Sequence, residues 1–221
     1  CQLSSSATSF SLQGVLVLNQ SSVLTVVSGT VVSSGDVSIQ SQDSTTVLFD
    51  ASAGTFQYGG NGDLQLMAPV KLGAFTFQGG NLTLFDAITF VNALTIPSGS
   101  FVSTVGSAAA NMTAGVSGEG VLSAAGSILT LGTTTVKTLN LVGGNVTFAA
   151  AGSDIPILSF AGGNGLVNFP LKAAQLNLLN GNLNGAAAVT AKQVYLNSQG
   201  FNLNGAVTVS SQASLGGLIA F

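Results

Sequence analysis

The feature that most constrains this chain is a short triplet, apolar-polar-apolar, that recurs along most of its length. Phe75-Thr76-Phe77, Leu82-Thr83-Leu84, Ile88-Thr89-Phe90 and Leu94-Thr95-Ile96 follow one another at six or seven residues. Each triplet has the period-2 alternation of a strand with one face buried. Gly, Asn, Asp or Pro stands between most of them, where the chain must turn. The same pattern returns in Val37-Ser38-Ile39, Phe56-Gln57-Tyr58, Leu64-Gln65-Leu66, Leu129-Thr130-Leu131, Val146-Thr147-Phe148 and Val207-Thr208-Val209. No stretch carries a 3.6-residue apolar stripe. The Ala-rich pieces 108–110 and 149–151 are too short to hold a helix.

Three such strands and three corners make a loop of about twenty residues, and a longer repeat near that spacing is visible. Lys172 and Lys192 are twenty apart, as are Leu176 and Leu196, Asn177 and Asn197, Asn182 and Asn202, Leu183 and Leu203, Asn184 and Asn204, and Val189 and Val209. Asn61 and Asn81 repeat the spacing after Gly-Gly pairs, and Asn145 and Asn164 sit nineteen apart in related corners. The pattern predicts an all-β fold: a single-stranded parallel β-helix, or β-solenoid, spanning residues 1–221 as one unit. It would hold roughly 10 to 11 coils of about 20 residues, a rod near 50 Å long at about 4.8 Å per coil. Equivalent residues should stack, with Leu176, Leu183, Leu196, Leu203, Val189 and Val209 pointing inward. Asn182 and Asn202 should form an amide ladder. Lys172 should lie over Lys192 on a solvated row. Unequal corners favour the right-handed form.

GVLSAAGSILTL, from Gly120 to Leu131, and the GGN corners followed by Leu-Thr-Leu resemble the right-handed β-helices of autotransporter passenger domains and filamentous-haemagglutinin-type adhesins. The resemblance is architectural. It implies an extracellular shaft or adhesive surface and fixes no activity.

Composition narrows the function classes. Only 5% of residues are charged, against about 25% in ordinary domains. Yet 46% are hydrophobic and the net charge is −3, so the chain can bury a core. Four lysines are its only cations, which leaves no basic stripe for nucleic acid or anionic lipid. No apolar run is long enough for a membrane span. Cys1 is the single cysteine, so no disulfide forms within the sequence. It is read as an arbitrary boundary, a partner for a segment elsewhere, or a lipid acceptor. The apolar end, with Leu215, Leu218, Ile219 and Phe221, carries no charged cap. It predicts association through the ends, with further coils of the same chain or with another copy.

β-Helices also include polysaccharide lyases and hydrolases, so the acids were tested as catalytic pairs. Asp36, Asp43 and Asp50 are seven apart and fall on different sides of a coil. Asp63 and Asp86 are about one coil apart, plus three residues, and are the pair most able to stack. With no His and no Arg, neither a nucleophilic triad nor a lyase base is available, and Lys71 is the only nearby cation. His is absent and Cys is single, so a transition-metal site has no ligand set. The GGNG pieces at 59–62 and 162–165 lack the Lys-Ser/Thr of a phosphate loop and read as corners. Glu119 reads as a turn charge.

Sequons at Asn19, Asn81, Asn111 and Asn145 are candidate N-glycosylation sites, at a frequency that composition alone would generate. The expectation is a non-catalytic extracellular structural or adhesive solenoid: a shaft, filament subunit or surface stalk. It has no catalytic, cofactor-binding or metal residues and needs no cofactor. It stacks end to end as a homo-oligomer or polymer, with possible glycans, no nucleic acid and no membrane span. The alternatives are a carbohydrate-active β-helix enzyme and an ice- or carbohydrate-binding module. The second asks for a regular threonine array, and here Gln, Asn, Ser and Pro156 interrupt it.

Overall fold

A computed structural model of the chain describes residues 2–3, 9–18, 23–41, 48–60, 62–106 and 108–220, without the side chains of 2–3, 198–200 and 215–220. The described residues are strands, turns and bends with no helix, and no helix is therefore long and apolar enough to cross a membrane. Every strand pairing is parallel, and each joins one turn of the chain to the next. The protein is a β-solenoid of about 10 turns, with coils of about 19 residues.

One coil shows the construction. Ile88–Phe90, Leu94–Thr95 and Phe101–Val105 lie on three successive faces. The next coil places Ala109–Met112 beside the first, and Val116–Ala125 bends to cover the second and third. From residue 153 onward whole coils run as one bent strand: Ser153–Val167, Leu171–Asn184 and Val189–Asn204. Three stacked faces thus run along the rod.

The triplets supply the core as the alternation requires. Leu82 and Leu84 are buried with Thr83 between them facing out, and Ile88 and Phe90 flank Thr89 in the same way. The interior is graded. Between residues 49 and 90 it is rich in aromatics: Tyr58 stacks on Phe77 at 5.9 Å, and Phe75 touches Phe56, Phe77 and Phe90 at 5.7 to 6.1 Å. Farther on an aliphatic ladder runs through Val102, Leu122, Leu139, Leu158 and Leu176 on successive coils, with Phe148, Phe160 and Phe201 buried beside it. Buried hydroxyls at Thr104, Ser127, Thr134 and Ser153 find partners in one another or in backbone, while that of Ser33 has none. Thr104 and Ser127 share a hydrogen bond at 2.5 Å, and the Ser153 hydroxyl accepts from the Thr134 N–H at 3.0 Å.

The register departs from the twenty-residue reading. Asn182, Leu183 and Asn184 do lie beside Asn202, Leu203 and Asn204. Leu176, however, pairs with Val194, Leu178 with Leu196, Asn177 with Tyr195, and Val189 with Val207. Over those stretches the offset is eighteen. Two extra residues enter at the corner between Leu196 and Phe201, and the next corner is two residues shorter. The asparagine motif spans the lengthened corner, so its spacing does not extend to its neighbours. Lys172 accordingly lies between Asp154 and Thr190, not over Lys192.

Leu176, Leu183, Leu196 and Val189 are buried, and Leu203 is partly buried against the core. Val209 pairs with the buried Ala191 but is 38% exposed, because no described coil covers it. Phe221 lies outside the described residues, as do the side chains of Leu215, Leu218 and Ile219.

Candidate functional site

Two polar constructions stand out on this scaffold, and both arise from corner residues brought into columns by stacking. The longer is an amide ladder. Asn164 donates through Nδ2 to Oδ1 of Asn145 at 2.8 Å, Asn182 donates to Asn164, and Asn202 donates to Asn182 at 2.7 Å. A parallel rung joins Asn204 to Asn184 at 2.9 Å. Asn145, Asn164 and Asn182 each directly follow a glycine. Gly144 and Gly163 have φ of 79° and 78°, a left-handed turn that an L side chain resists. An amide carries both donor and acceptor, so one residue type satisfies its copies above and below.

The second construction is an acid corner at the start of the third face. The Asp63 N–H donates to Oδ1 of Asp36 at 3.0 Å, and Asn81 Nδ2 donates to Oδ1 of Asp63 at 2.8 Å. A shallow depression of about 240 Å³ opens here, lined by Gly14, Val15, Asp36, Ser38, Asp63 and Gln65. Beneath it the Tyr58 hydroxyl donates to the Gly35 carbonyl at 2.9 Å. Burial, then the negative charges of Asp36 and Asp63, push the Tyr58 phenol up from its ordinary range.

The acids the sequence singled out are thus regrouped. Asp63 lies against Asp36, not Asp86. Asp86 occupies the corner after Asn81–Leu84, where its carboxylate accepts from the Ala87 N–H at 2.7 Å. Asp50 is on the first face beside Lys71. Burial pushes its carboxyl up, but hydrogen bonds from Ser52 and the Lys71 charge outweigh that and hold it below the usual carboxylate range. Asp43 lies outside the described residues. Sequence reasoning missed the Asp36–Asp63 pair because the coil there is 27 residues long, as the pairing of Val37 with Leu64 records. The signal that could have found it is the triplet alignment itself: Asp36 and Asp63 each precede one.

Among the described residues no group of three or more His, Cys, Asp or Glu gathers to hold a metal ion. A second depression, of about 200 Å³, lies on the second face between Asp154, Lys172, Thr190, Lys192 and Ser210. Its walls are exposed side chains of stacked strands.

The sequons are scattered along the rod. Asn81 and Asn145 are exposed first residues of strands at glycine corners, and their side chains join the two columns just described. Asn111 is exposed on Ala109–Met112, where its Oδ1 accepts from the Thr113 N–H at 3.2 Å. Asn19 lies outside the described residues. The β-solenoid is therefore established by the coordinates of this chain alone, for no family model, no curated protein and no solved structure matches it.

Proposed function

We propose that this protein is a non-catalytic structural or adhesive solenoid of the cell exterior, serving as a shaft, filament subunit or surface stalk that lengthens through its ends. The observation that carries the reading is the unbroken parallel stack, which gives length and outward surface in every coil. Ser9–Leu18 pairs on one side with Thr30–Ser41, and Val207–Ala220 on one side with Val189–Asn204; among the described strands nothing pairs with their other edges. A strand edge of this length is a template for another strand, whether of the same chain continued or of another copy. Apolar side chains accompany both edges: Phe10, Val15 and Val17 at one end and Val209 at the other are exposed. A charge content of 5% opposes such stacking only weakly.

The test is negative-stain microscopy and sedimentation of the full chain over a concentration series. Rods that lengthen with concentration, at constant width, support the reading. A single rod length and monomer mass at every concentration would defeat end association.

A second reading, a carbohydrate-active enzyme, is favoured by one observation: Asp36 and Asp63 stand side by side at a surface depression. Its experiment is turnover on a panel of polysaccharides. Activity abolished by Asp63→Asn would establish it in place of the structural role.

A further inference from the structure

Four asparagine–glycine pairs fall among the described residues: Asn164–Gly165, Asn180–Gly181, Asn184–Gly185 and Asn204–Gly205. Such a pair carries a reaction within itself. The glycine backbone nitrogen attacks Cγ of the asparagine, and the side-chain nitrogen leaves as ammonia. Water then opens the resulting five-membered imide at either carbonyl, giving aspartate or isoaspartate. Glycine favours the attack because no Cβ stands in the way and its backbone turns freely. By dipeptide alone the four pairs are equal. The stacked coils make them unequal.

Three of the pairs are tied into columns. Asn164 donates through Nδ2 to Asn145 and accepts through Oδ1 from Asn182. Its glycine is fixed as well: Gly165 is buried, and a Cβ there would lie 2.5 Å from the Phe160 ring. Asn184 accepts from Asn204, so each of these two holds one bond. Turning the amide carbon toward the next backbone nitrogen breaks whatever bonds the amide holds.

Asn180 holds none. Its side chain is exposed and makes no hydrogen bond among the described residues. It stands at the corner between the third face and the first, where the register is interrupted on both sides. Toward the preceding coil Asn180 pairs with Ala161 between two register shifts. Toward the following coil the pairing passes from Leu178–Leu196 to Gly181–Phe201, which leaves Asn180 without a partner strand residue. Gly181 has a φ of 114°.

We propose that Asn180–Gly181 is a site of spontaneous deamidation, and that the asparagine ladder protects Asn164 from the same reaction. Each amide bond that must break slows the attack, so Asn164, with two, reacts more slowly than Asn180 by about tenfold or more. Conversion of Asn180 adds one negative charge to a net charge of −3. As isoaspartate it also lengthens the main chain by one carbon. The corner has room for that, since the following coil already carries two more residues between the same rungs. The rod therefore ages at Asn180 with its stack intact, whereas conversion of Asn164 cuts the ladder. This modification is independent of association through the ends.

The experiment incubates the full chain at mildly alkaline pH and body temperature and follows each pair by tryptic mass spectrometry. Cleavage after the lysines places Asn164 in residues 138–172, Asn180 and Asn184 in 173–192, and Asn204 beyond Lys192; fragmentation resolves Asn180 from Asn184. The expected order is Asn180 first, Asn184 and Asn204 next, and Asn164 last. Far-UV circular dichroism is unchanged once Asn180 has converted. In urea the four rates converge, and Asn180→Gln removes the first event from the folded chain. Conversion of Asn164 as fast as Asn180 in the folded chain, or the same order of rates in urea, overturns the proposal. So does an Asn180 that stays intact in the folded chain over a time that converts it in urea.

Discussion

Single residues in this rod are judged by which way they point and what lies one coil above and below. Ser33 illustrates the cost of a mismatch. It is buried between Leu12 and Tyr58 in an inward column, and its hydroxyl has no hydrogen-bond partner. Removing an unsatisfied buried hydroxyl recovers part of its desolvation penalty. Ser33→Ala is expected to leave the melting temperature unchanged or raise it, by up to about 1 kcal/mol of stability. A loss of more than that in chemical denaturation would mean the hydroxyl is bonded.

Tyr58 gives a pH signature. Its phenol is raised by burial and by Asp36 and Asp63, so the folded pKa exceeds the unfolded one. The stability this contributes is fully present below the unfolded value of about 10 and is lost as pH rises through the folded value. With Tyr195→Phe as background, Tyr58 is the only remaining tyrosine, and phenolate absorbance should appear above pH 10 together with loss of structure. Asp36→Asn with Asp63→Asn should lower that midpoint. A midpoint that stays put would remove the two carboxylates from the explanation.

At the scale of one column, the asparagine ladder is a repeated amide bond on the outside of the sheet. Asn164 is its informative member, because it donates to Asn145 and accepts from Asn182. Asn164→Ala breaks two bonds, and Asn164→Asp removes the donor while keeping the acceptor. Since the ladder is exposed, each bond is worth about 0.5 to 1.5 kcal/mol. The alanine variant should therefore lose more stability than the aspartate one by urea titration. The reverse order would mean that charge at the corner, and not the ladder, sets the difference. Asn145 accepts from Asn164 through Oδ1, and its partner one coil back is Ile128, which has no amide. A glycan on that nitrogen would leave the ladder bond intact.

The whole molecule is a one-dimensional stack in which each coil touches its neighbours, so stability approximates a sum over coils and their interfaces. Removing residues 145–163 deletes one coil and joins Gly144 to Asn164, repeating the corner that Gly163 makes. The shortened chain should keep its circular dichroism spectrum and lose about 4.8 Å of length in solution scattering. Removing only 145–154 should abolish cooperative melting, because half a coil puts inward residues outside. Equal tolerance of both deletions would count against the stacked register.

Alternation in Leu82-Thr83-Leu84 and its relatives was enough to determine the fold class, since a period of two can bury only one side of a strand. The glycine and asparagine between triplets determined that the strands are short and the corners frequent. Composition set the low charge of the surface. Register lay beyond the sequence, because corners absorb one or two residues at no cost to the strands they join. Thus Asn182 and Asn202 stack at twenty while Leu176 stacks on Val194 at eighteen. The same freedom hid the Asp36–Asp63 neighbours, brought together by a coil of 27 residues. Only the tertiary stack decides which outward residues meet, and it ties Asn164 to Asn145 and Asn182 while Asn180 stands free in its corner. Burial acts between neighbours in sequence, whereas a column is made by residues a full turn apart, and the length of that turn is fixed by packing.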